Sequence, residues 1–367
     1  MYASELVSRI AAFPRVRLAT LPTPLEEAPR LASALGLGKI FVKRDDMTGL
    51  AFGGNKSRNY EFRLGEALGH GVDTVIMYVD VLSNSQRQLA AAAARLGLET
   101  HLVLRGEQSA VPTGNLLVSR LLGAHVTFVR TEDEQRAAAE AIRARLAAQG
   151  QYPMVLNESP MFELAGVLAY ALAALEVIEQ LGAAGVEPSS ARIYISSTGK
   201  GQAGLLLALR ALGTGATVTG VAARDHGGAA SATVAALANE TARKLGIEVV
   251  VDPGEGDNRE TYVGPGYGIP SKQGNEALLL AARSAGLVLD PVYTAKAFAA
   301  LVDDAKAGAF ASGLTPVFLH TGGSPTVFSF AAALLDAGAT LDASASLGTP
   351  EDRPSAPHMI ASELTRP

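Results

Sequence analysis

Gly53-Gly54-Asn55-Lys56, followed after a short segment by Ser83-Asn84-Ser85-Gln86-Arg87-Gln88, presents a lysine on a tight glycine turn opposite a polar helix start. Two adjacent glycines let the backbone take positive φ and approach a flat ring closely. A lysine desolvated in such a cleft has its ammonium form disfavoured, which makes the amine a better nucleophile toward an aldehyde. The turn therefore points to a lysine that carries a covalent cofactor. A surface turn with an exposed lysine uses the same residue types, since glycine and asparagine are common in turns. The rest of the chain has to decide between the two.

With 367 residues the chain is too long for one small core and reads as two domains, or one domain with a large insertion. Its formal net charge of -5 comes from interspersed charges with no basic stripe, so nucleic acid is not an expected partner. Cysteine is absent, which removes disulfides, thiolate nucleophiles and Cys-ligated metals together and is compatible with a reducing cytoplasm. Met1 to Arg15 mixes Glu5, Arg9 and Arg15 with apolar residues and has neither a clean apolar core nor a cleavage site. No apolar run reads as long and uniform enough for a membrane span; the stretch from Leu164 to Leu175 meets Glu176 at once and reads as a buried helix. A soluble, cytoplasmic protein without a membrane partner is expected. The histidines are scattered singly and show no metal-ligand spacing, so no metal is expected either.

From Asp73 onward, short apolar or β-branched runs alternate with helical patterns. The expected strands are Thr74 to Val79, His101 to Leu104, Val126 to Val129, Arg192 to Ile195, Thr217 to Val221 and Val317 to Leu319. The expected helices are Ser85 to Leu96, Thr131 to Ala148, Phe162 to Gln180, Gln202 to Leu212, Ala229 to Leu245, Lys272 to Ala285, Ala295 to Ala307 and Val327 to Ala337. Such alternation argues for α/β architecture, with parallel sheets flanked by helices and ligands at the carboxyl ends of the strands. The segment from Ala343 to Pro367 is rich in Ser, Pro and Ala without a sustained period, and reads as a tail.

The strand ending at Ile195 runs into Ser196-Ser197-Thr198-Gly199-Lys200-Gly201-Gln202-Ala203-Gly204 and then a helix. Backbone N–H groups, hydroxyls and a lysine at a helix start make an anion site, most naturally for phosphate. The same residues satisfy G-x-G-x-x-G, with Asp225 after the next strand as a ribose-binding acid, so on this segment alone a dinucleotide stays open. Ser83 can cap the helix that follows it while the N–H groups of residues 84 to 86 point into a cleft, where a substrate carboxylate would fit; an ordinary cap with a solvated Arg87 is the alternative. Tyr267 and Tyr293 stand in breaker-rich loops, where each phenol either touches a ligand or roofs a core. His320, in His320-Thr321-Gly322-Gly323-Ser324-Pro325, reads as a structural histidine at a strand end.

Taken in order, these segments resemble the fold-type-II pyridoxal-phosphate enzymes of the 1-aminocyclopropane-1-carboxylate deaminase and D-cysteine desulfhydrase family. The likeness runs from Leu21-Pro22-Thr23-Pro24-Leu25 through Lys43-Arg44-Asp45-Asp46 and the lysine turn to Pro325. It accounts for the lysine turn, both tyrosines and the His320 turn, which a dinucleotide site leaves unexplained. The resemblance implies a two-domain fold of the tryptophan synthase β type: residues 1–55 with 162–342 as a larger cofactor-binding domain, 56–161 as a smaller one, and 343–367 as the tail. It also implies pyridoxal 5'-phosphate as cofactor, a small amino acid as substrate and a homodimer.

Residue by residue, the resemblance implies that Lys56 holds the cofactor and later moves the substrate α proton, and that Asn84 bonds the ring hydroxyl. Ser197, Thr198, Gly199, Lys200, Gly201 and Gln202 would hold the phosphate, and Tyr267 and Tyr293 would flank the reacting carbon. Thr294 would face the pyridine nitrogen, with Thr321 in a neighbouring turn of the cofactor site. Ser83 would relay a proton, and Ser83, Asn84, Ser85, Gln86 and Glu158 would contact the substrate.

A carboxylate facing the ring nitrogen keeps it protonated and strengthens the electron sink, which opening a cyclopropane requires. Thr294 offers a hydroxyl instead, and Thr321 stands where the deaminase branch resembles a leucine-bearing turn; both favour β-elimination of a good leaving group. The expected activity is thus α,β-elimination of a D-cysteine-like or cysteate-like amino acid to a 2-oxo acid and ammonia. The alternatives are a 1-aminocyclopropane-1-carboxylate deaminase and a non-catalytic regulator that binds the cofactor or an amino acid. Some residues depart from the family pattern. Asn59 stands where a lysine is common and Lys200 where a neutral residue is, so Lys200 is expected to supply the phosphate's positive partner. Tyr78 to Leu82 and Asn157 to Phe162 remodel the substrate loops.

Overall fold

The computed structural model describes residues 1–108, 111–197 and 199–346, with side chains to residue 338; Thr198 and the tail beyond 346 lie outside the described residues. Two sheets carry the fold. The larger contains β1 (Leu25–Glu27), β2 (Phe41–Lys43), β7 (Ala191–Ile195), β8 (Thr217–Val221), β9 (Asp257–Arg259) and β10 (Thr315–Leu319), in the order β1-β2-β10-β7-β8-β9. Every neighbouring pair in it is parallel except β1 with β2. The smaller is wholly parallel and runs β5 (His125–Val129), β4 (Glu99–Arg105), β3 (Thr74–Asp80), β6 (Pro153–Val155).

Helices cover both sheets: α1 (Ala3–Ile10), α2 (Pro29–Ala34), α3 (Lys56–Gly69), α4 (Asn84–Leu96), α5 (Gly114–Leu121), α6 (Glu132–Ala148), α7 (Met161–Ala183), α8 (Lys200–Leu212), α9 (Ala230–Leu245), α10 (Lys272–Ala285), α11 (Thr294–Lys306) and α12 (Ala331–Ser346). Local chemistry fixes their ends. Ser83 accepts from Ser85 N–H at the start of α4, Thr131 and Glu134 close a capping box on α6, and glycines in the left-handed region (Gly97, Gly213, Gly246, Gly286) end α4, α8, α9 and α10.

The alternation expected after Asp73 appears with boundaries shifted by a few residues. Several elements are new. The strands β1, β2, β6 and β9 are three residues each, too short to show a period. Helix α3 escapes the amphipathic pattern because its buried positions include Arg58, Asn59, Glu61 and Arg63 beside Tyr60, Phe62 and Leu64. The last helix extends to Ser346, past the expected start of the tail at Ala343.

Helix α7 corrects another expectation. Its 23 residues, with a mean hydropathy of 1.8 in the richest window, are long and apolar enough to cross a membrane. That window is 67% buried inside the protein. Leu168, Ala171, Ala174 and Val177 of α7 share one core with Leu205 and Ala208 of α8, Ala238 of α9 and Ile193 of β7. Burial against other helices explains the composition without a lipid phase.

Candidate active site

Residues at or just beyond the carboxyl ends of β3, β4, β7, β8 and β10 surround one cavity of about 670 Å³. It is lined by Lys56, Ser83, Asn84, Ser85, Ser197, Gly199, Lys200, Gly201, Tyr267, Tyr293 and Thr321. Lys56 and Thr321, 265 positions apart in the chain, therefore border one cavity.

The lysine turn is built for close approach. Gly53 and Gly54 have φ of 64° and 123°, and a Cβ at these positions would meet Asp46 O at 1.8 Å and Gln88 Nε2 at 2.3 Å. Gln88 clamps the turn, its Nε2 donating to Gly53 O at 2.8 Å while its Oε1 accepts from Ser57 N–H at 2.6 Å. Arg87 joins it. Expected in solvent as one alternative, Arg87 is buried, donates from Nε to Asn115 Oδ1 at 2.9 Å, and also holds the carbonyls of Ala51 and Gly53. Lys56 then opens α3, which fixes its Cα on a helix instead of a loose turn.

Three cations converge in this cavity. Arg63 lies two turns along α3 from Lys56, and Lys200 is the first residue of α8. Arg63 Nη2 donates to Phe162 O at 2.6 Å, and Lys200 Nζ donates to the same oxygen at 3.0 Å. The Lys200 ammonium also sits 3.6 Å over the Phe162 ring and 3.1 Å from Glu163, a carboxylate 53% exposed. Burial, with the charge of Arg63 second, lowers the Lys56 pKa to about 8. The same two causes bring Lys200 down to about 7, Glu163 opposing them. Arg63 Nε and Asn59 Oδ1, both buried and both on the cavity wall, have no hydrogen-bond partner among the described residues. Starved positive charge and the unpartnered Arg63 Nε–H fit a phosphate ester, and the aldehyde of such a cofactor suits the low-pKa amine of Lys56.

Helix α8 adds its N-terminus. Its first N–H groups have no intrahelical acceptor, and that of Gln202 donates to Ser197 Oγ, ahead of the helix, at 3.3 Å. Asn84 presents its other half: Oδ1 accepts from Asn115 Nδ2 at 2.9 Å and Thr326 Oγ1 at 3.2 Å, so the Nδ2 donor is left toward the cavity that Asn84 lines. Tyr267 and Tyr293 meet edge to face, with hydroxyls 2.5 Å apart. Burial raises the pKa of both phenols.

Other expected residues are elsewhere. Gln86 is buried under the loop it supports, its Nε2 donating to Val81 O, and Gln202 turns its amide toward Gly220 and Asn258, away from the cavity. Thr294 is buried with its hydroxyl donating to Asp290 Oδ2 at 2.8 Å, because Asp290 caps the start of α11 and engages Thr294 from below. Glu158 is exposed and does not line the cavity; Asn157 does, while its side chain clamps Tyr78 N–H and C=O. Ser85 lines the cavity but its hydroxyl lies 2.8 Å from Tyr60 OH. Ser83 Oγ accepts the Ser85 N–H at 3.2 Å, so that donor does not point into the cleft. His320 is buried outside the cavity and accepts Gly322 N–H at Nδ1, as a structural histidine does.

The sequence reading missed Arg63, Arg224 and Asp80. Arg63 becomes visible once α3 is known to start at Lys56, since seven residues are two turns of helix. Arg224 follows β8, stacks 4.2 Å over the Tyr267 ring and pairs with Asp80 at 2.8 Å, joining the ends of strands from the two sheets. The other oxygen of Asp80 is held by Arg105 at 2.8 Å.

Comparison with known proteins gives one consistent picture. Residues 16–322 match the family described as pyridoxal-phosphate dependent enzyme. A D-cysteine desulfhydrase of Klebsiella pneumoniae (strain 342) is 36% identical over 329 residues, covering 88% of this chain and 98% of that one. A D-cysteine desulfhydrase of Salmonella typhi is 35% identical over 323 residues, covering 87% and 96%. Among crystal structures, one of an ACC deaminase homologue superposes with a TM-score of 0.80 at 33% identity, covering 92% of this chain and all of that one. Threonine deaminase isoform 2 of Solanum lycopersicum, at 18% identity and a TM-score of 0.62 over 93% of this chain and 90% of that one, shares the fold.

Proposed function

This chain belongs to the family of pyridoxal-phosphate dependent enzymes, and from that premise we propose a lyase that removes a β substituent from a small amino acid, yielding a 2-oxo acid and ammonia. The observation that carries the reading is the convergence of Lys56, Arg63 and Lys200, short of counter-charge, beside the start of α8. The cofactor, when bound, supplies the aldehyde that receives amines and the ring that withdraws electrons from the substrate α carbon.

Arg63, Lys200 and the first N–H groups of α8 bind the phosphate, and Asn84 Nδ2 donates to the ring hydroxyl. Lys56, its pKa lowered to about 8 so that a substantial fraction is neutral near that pH, holds the cofactor and, once the substrate amine has displaced it, takes the α proton at Nζ. Ser83, whose Oγ accepts from Ser85 and whose own proton is free to donate, orients the substrate carboxylate. The hydrogen-bonded Tyr267–Tyr293 pair returns a proton to the product side. A hydroxyl, that of Thr294 or that of Thr321, the one of the two that lines the cavity, would meet the ring nitrogen and disfavour ring opening of a cyclopropane substrate.

D-cysteine is the substrate that the curated relatives suggest. Cysteate is a second reading, for which the guanidinium of Arg224, paired with Asp80 and lining the cavity beside Tyr267, offers a partner to a sulfonate. We further infer a cytoplasmic homodimer in which residues 1–55 with 162–342 and residues 56–161 act as two domains around the cleft. Sedimentation of the purified holoenzyme tests the dimer. A panel of D- and L-cysteine, cysteate and β-chloroalanine, read by product mass, tests the reaction: 2-oxo acid from at least one member is expected. Silence across the whole panel, with a spectral response to amino acids, would mean a binding protein instead.

A further inference from the structure

On the far side of the smaller sheet, two histidines that stand 24 residues apart in sequence become direct neighbours. The parallel register of β4 and β5 pairs His101 with His125, and Glu99 lies two residues before His101 on the same face of β4. Both imidazoles turn to one oxygen. His101 Nε2 is 2.8 Å and His125 Nε2 3.4 Å from Glu99 Oε1, and the three ligand atoms all lie within 4.8 Å of one another. The rings stack at 4.6 Å with an interplanar angle of 17°. Gln151 Nε2 donates to the other carboxylate oxygen at 2.9 Å, which keeps Oε1 aimed at the histidines.

Ligand atoms around a tetrahedral ion with bonds of about 2.0–2.1 Å stand about 3.3 Å apart. The His125 separation already matches that spacing, and the His101 one needs to open by about 0.5 Å, within the reach of a side-chain rotation. Two imidazoles and a carboxylate suit ions such as zinc or copper better than magnesium or calcium, which prefer all-oxygen sites. His125 is 61% exposed, so water completes the coordination, while the nearby charge of Arg145 acts against a cation and limits affinity. None of these residues lines the amino-acid cavity, which Arg105 borders at the opposite end of β4.

We propose that Glu99, His101 and His125 form a binding site for a transition-metal ion of the zinc class, which ties the edge strand β5 to β4 and is separate from the catalytic cavity. The test uses holoenzyme stripped with a chelator and titrated with zinc chloride, following bound zinc per chain and the thermal midpoint. One ion per chain and a zinc-dependent rise in midpoint are expected, both weakened at least tenfold in zinc concentration by His125→Ala and by Glu99→Gln. The two variants are expected to keep the parent's activity and its metal-free midpoint, which shows that they fold. The same zinc affinity in parent and variants, or no zinc bound by the parent, overturns the proposal.

Discussion

Helix α3 carries two buried arginines with opposite surroundings. Arg58 is saturated: it donates to Asp45 at 2.8 and 3.0 Å, to Glu176 at 2.7 and 2.8 Å and to Thr23 at 3.1 Å, and Lys43 closes the cluster on Glu176 at 2.7 Å. Burial pulls its pKa down, yet the two carboxylates outweigh burial and the pKa ends raised. Arg63, one turn and a half further on, has a single carbonyl for its fork, an unpartnered Nε and a lowered pKa whose main cause is burial. The first arrangement is complete in itself and holds α3 to α7. The second is incomplete without an anion, and that deficit marks the site more clearly than any motif does.

The comparison breaks most sharply at Lys56, on the unsaturated side of the helix. Lys56→Ala is expected to lower 2-oxo acid release by on the order of 10³-fold or more while leaving the fold intact, since one group is both attachment point and base. Product release and circular dichroism on the same sample check both halves. On the saturated side the signs reverse. Arg58→Met leaves Asp45 and Glu176 buried without their partner and is expected to cost about 3–5 kcal/mol of stability, read from urea unfolding. Arg63→Met, by contrast, is expected to leave apoprotein stability unchanged or raised and to weaken cofactor retention by about 10- to 100-fold, the loss of one charge-assisted contact. Dialysis against cofactor-free buffer measures it, and Lys200→Met is expected to act in the same direction.

A smaller effect sharpens the contrast through pH. Lys56 and Lys200 titrate at about 8 and about 7 in the folded chain, below their ordinary value of 10.5. Between roughly pH 7 and 10 the unfolded chain therefore binds more protons than the folded one, so apoprotein stability rises with pH across that window. Urea midpoints of the apoprotein from pH 7 to 10 check this, with Lys200→Met flattening the lower part of the rise. Bound cofactor is expected to flatten it further, because phosphate restores the charged form of Lys200.

Much of this was legible in the sequence. The alternation of apolar runs and helical periods from Asp73 onward announces parallel sheets, and the glycine-lysine turn announces where their ligand sits, because both signals are local. What stayed hidden depends on tertiary placement. The charged residues of α3 look like a solvated segment until Asp45 and Glu176 arrive from other elements to bury Arg58. Arg224 meets Asp80 across 144 positions, and His101 meets His125 only through strand register. The side chains of Thr294 and Gln202 engage neighbours in the fold, Asp290 and Asn258, that no local pattern places beside them.

Lys200 has its pKa lowered as Lys56 does and borders the same cavity, so the two amines compete for the role of attachment point. Borohydride reduction of the holoenzyme followed by peptide mapping decides between them. A pyridoxyl-phosphate mass on the peptide carrying Lys56 is the predicted result; the tag on Lys200, or on no lysine at all, would contradict the account.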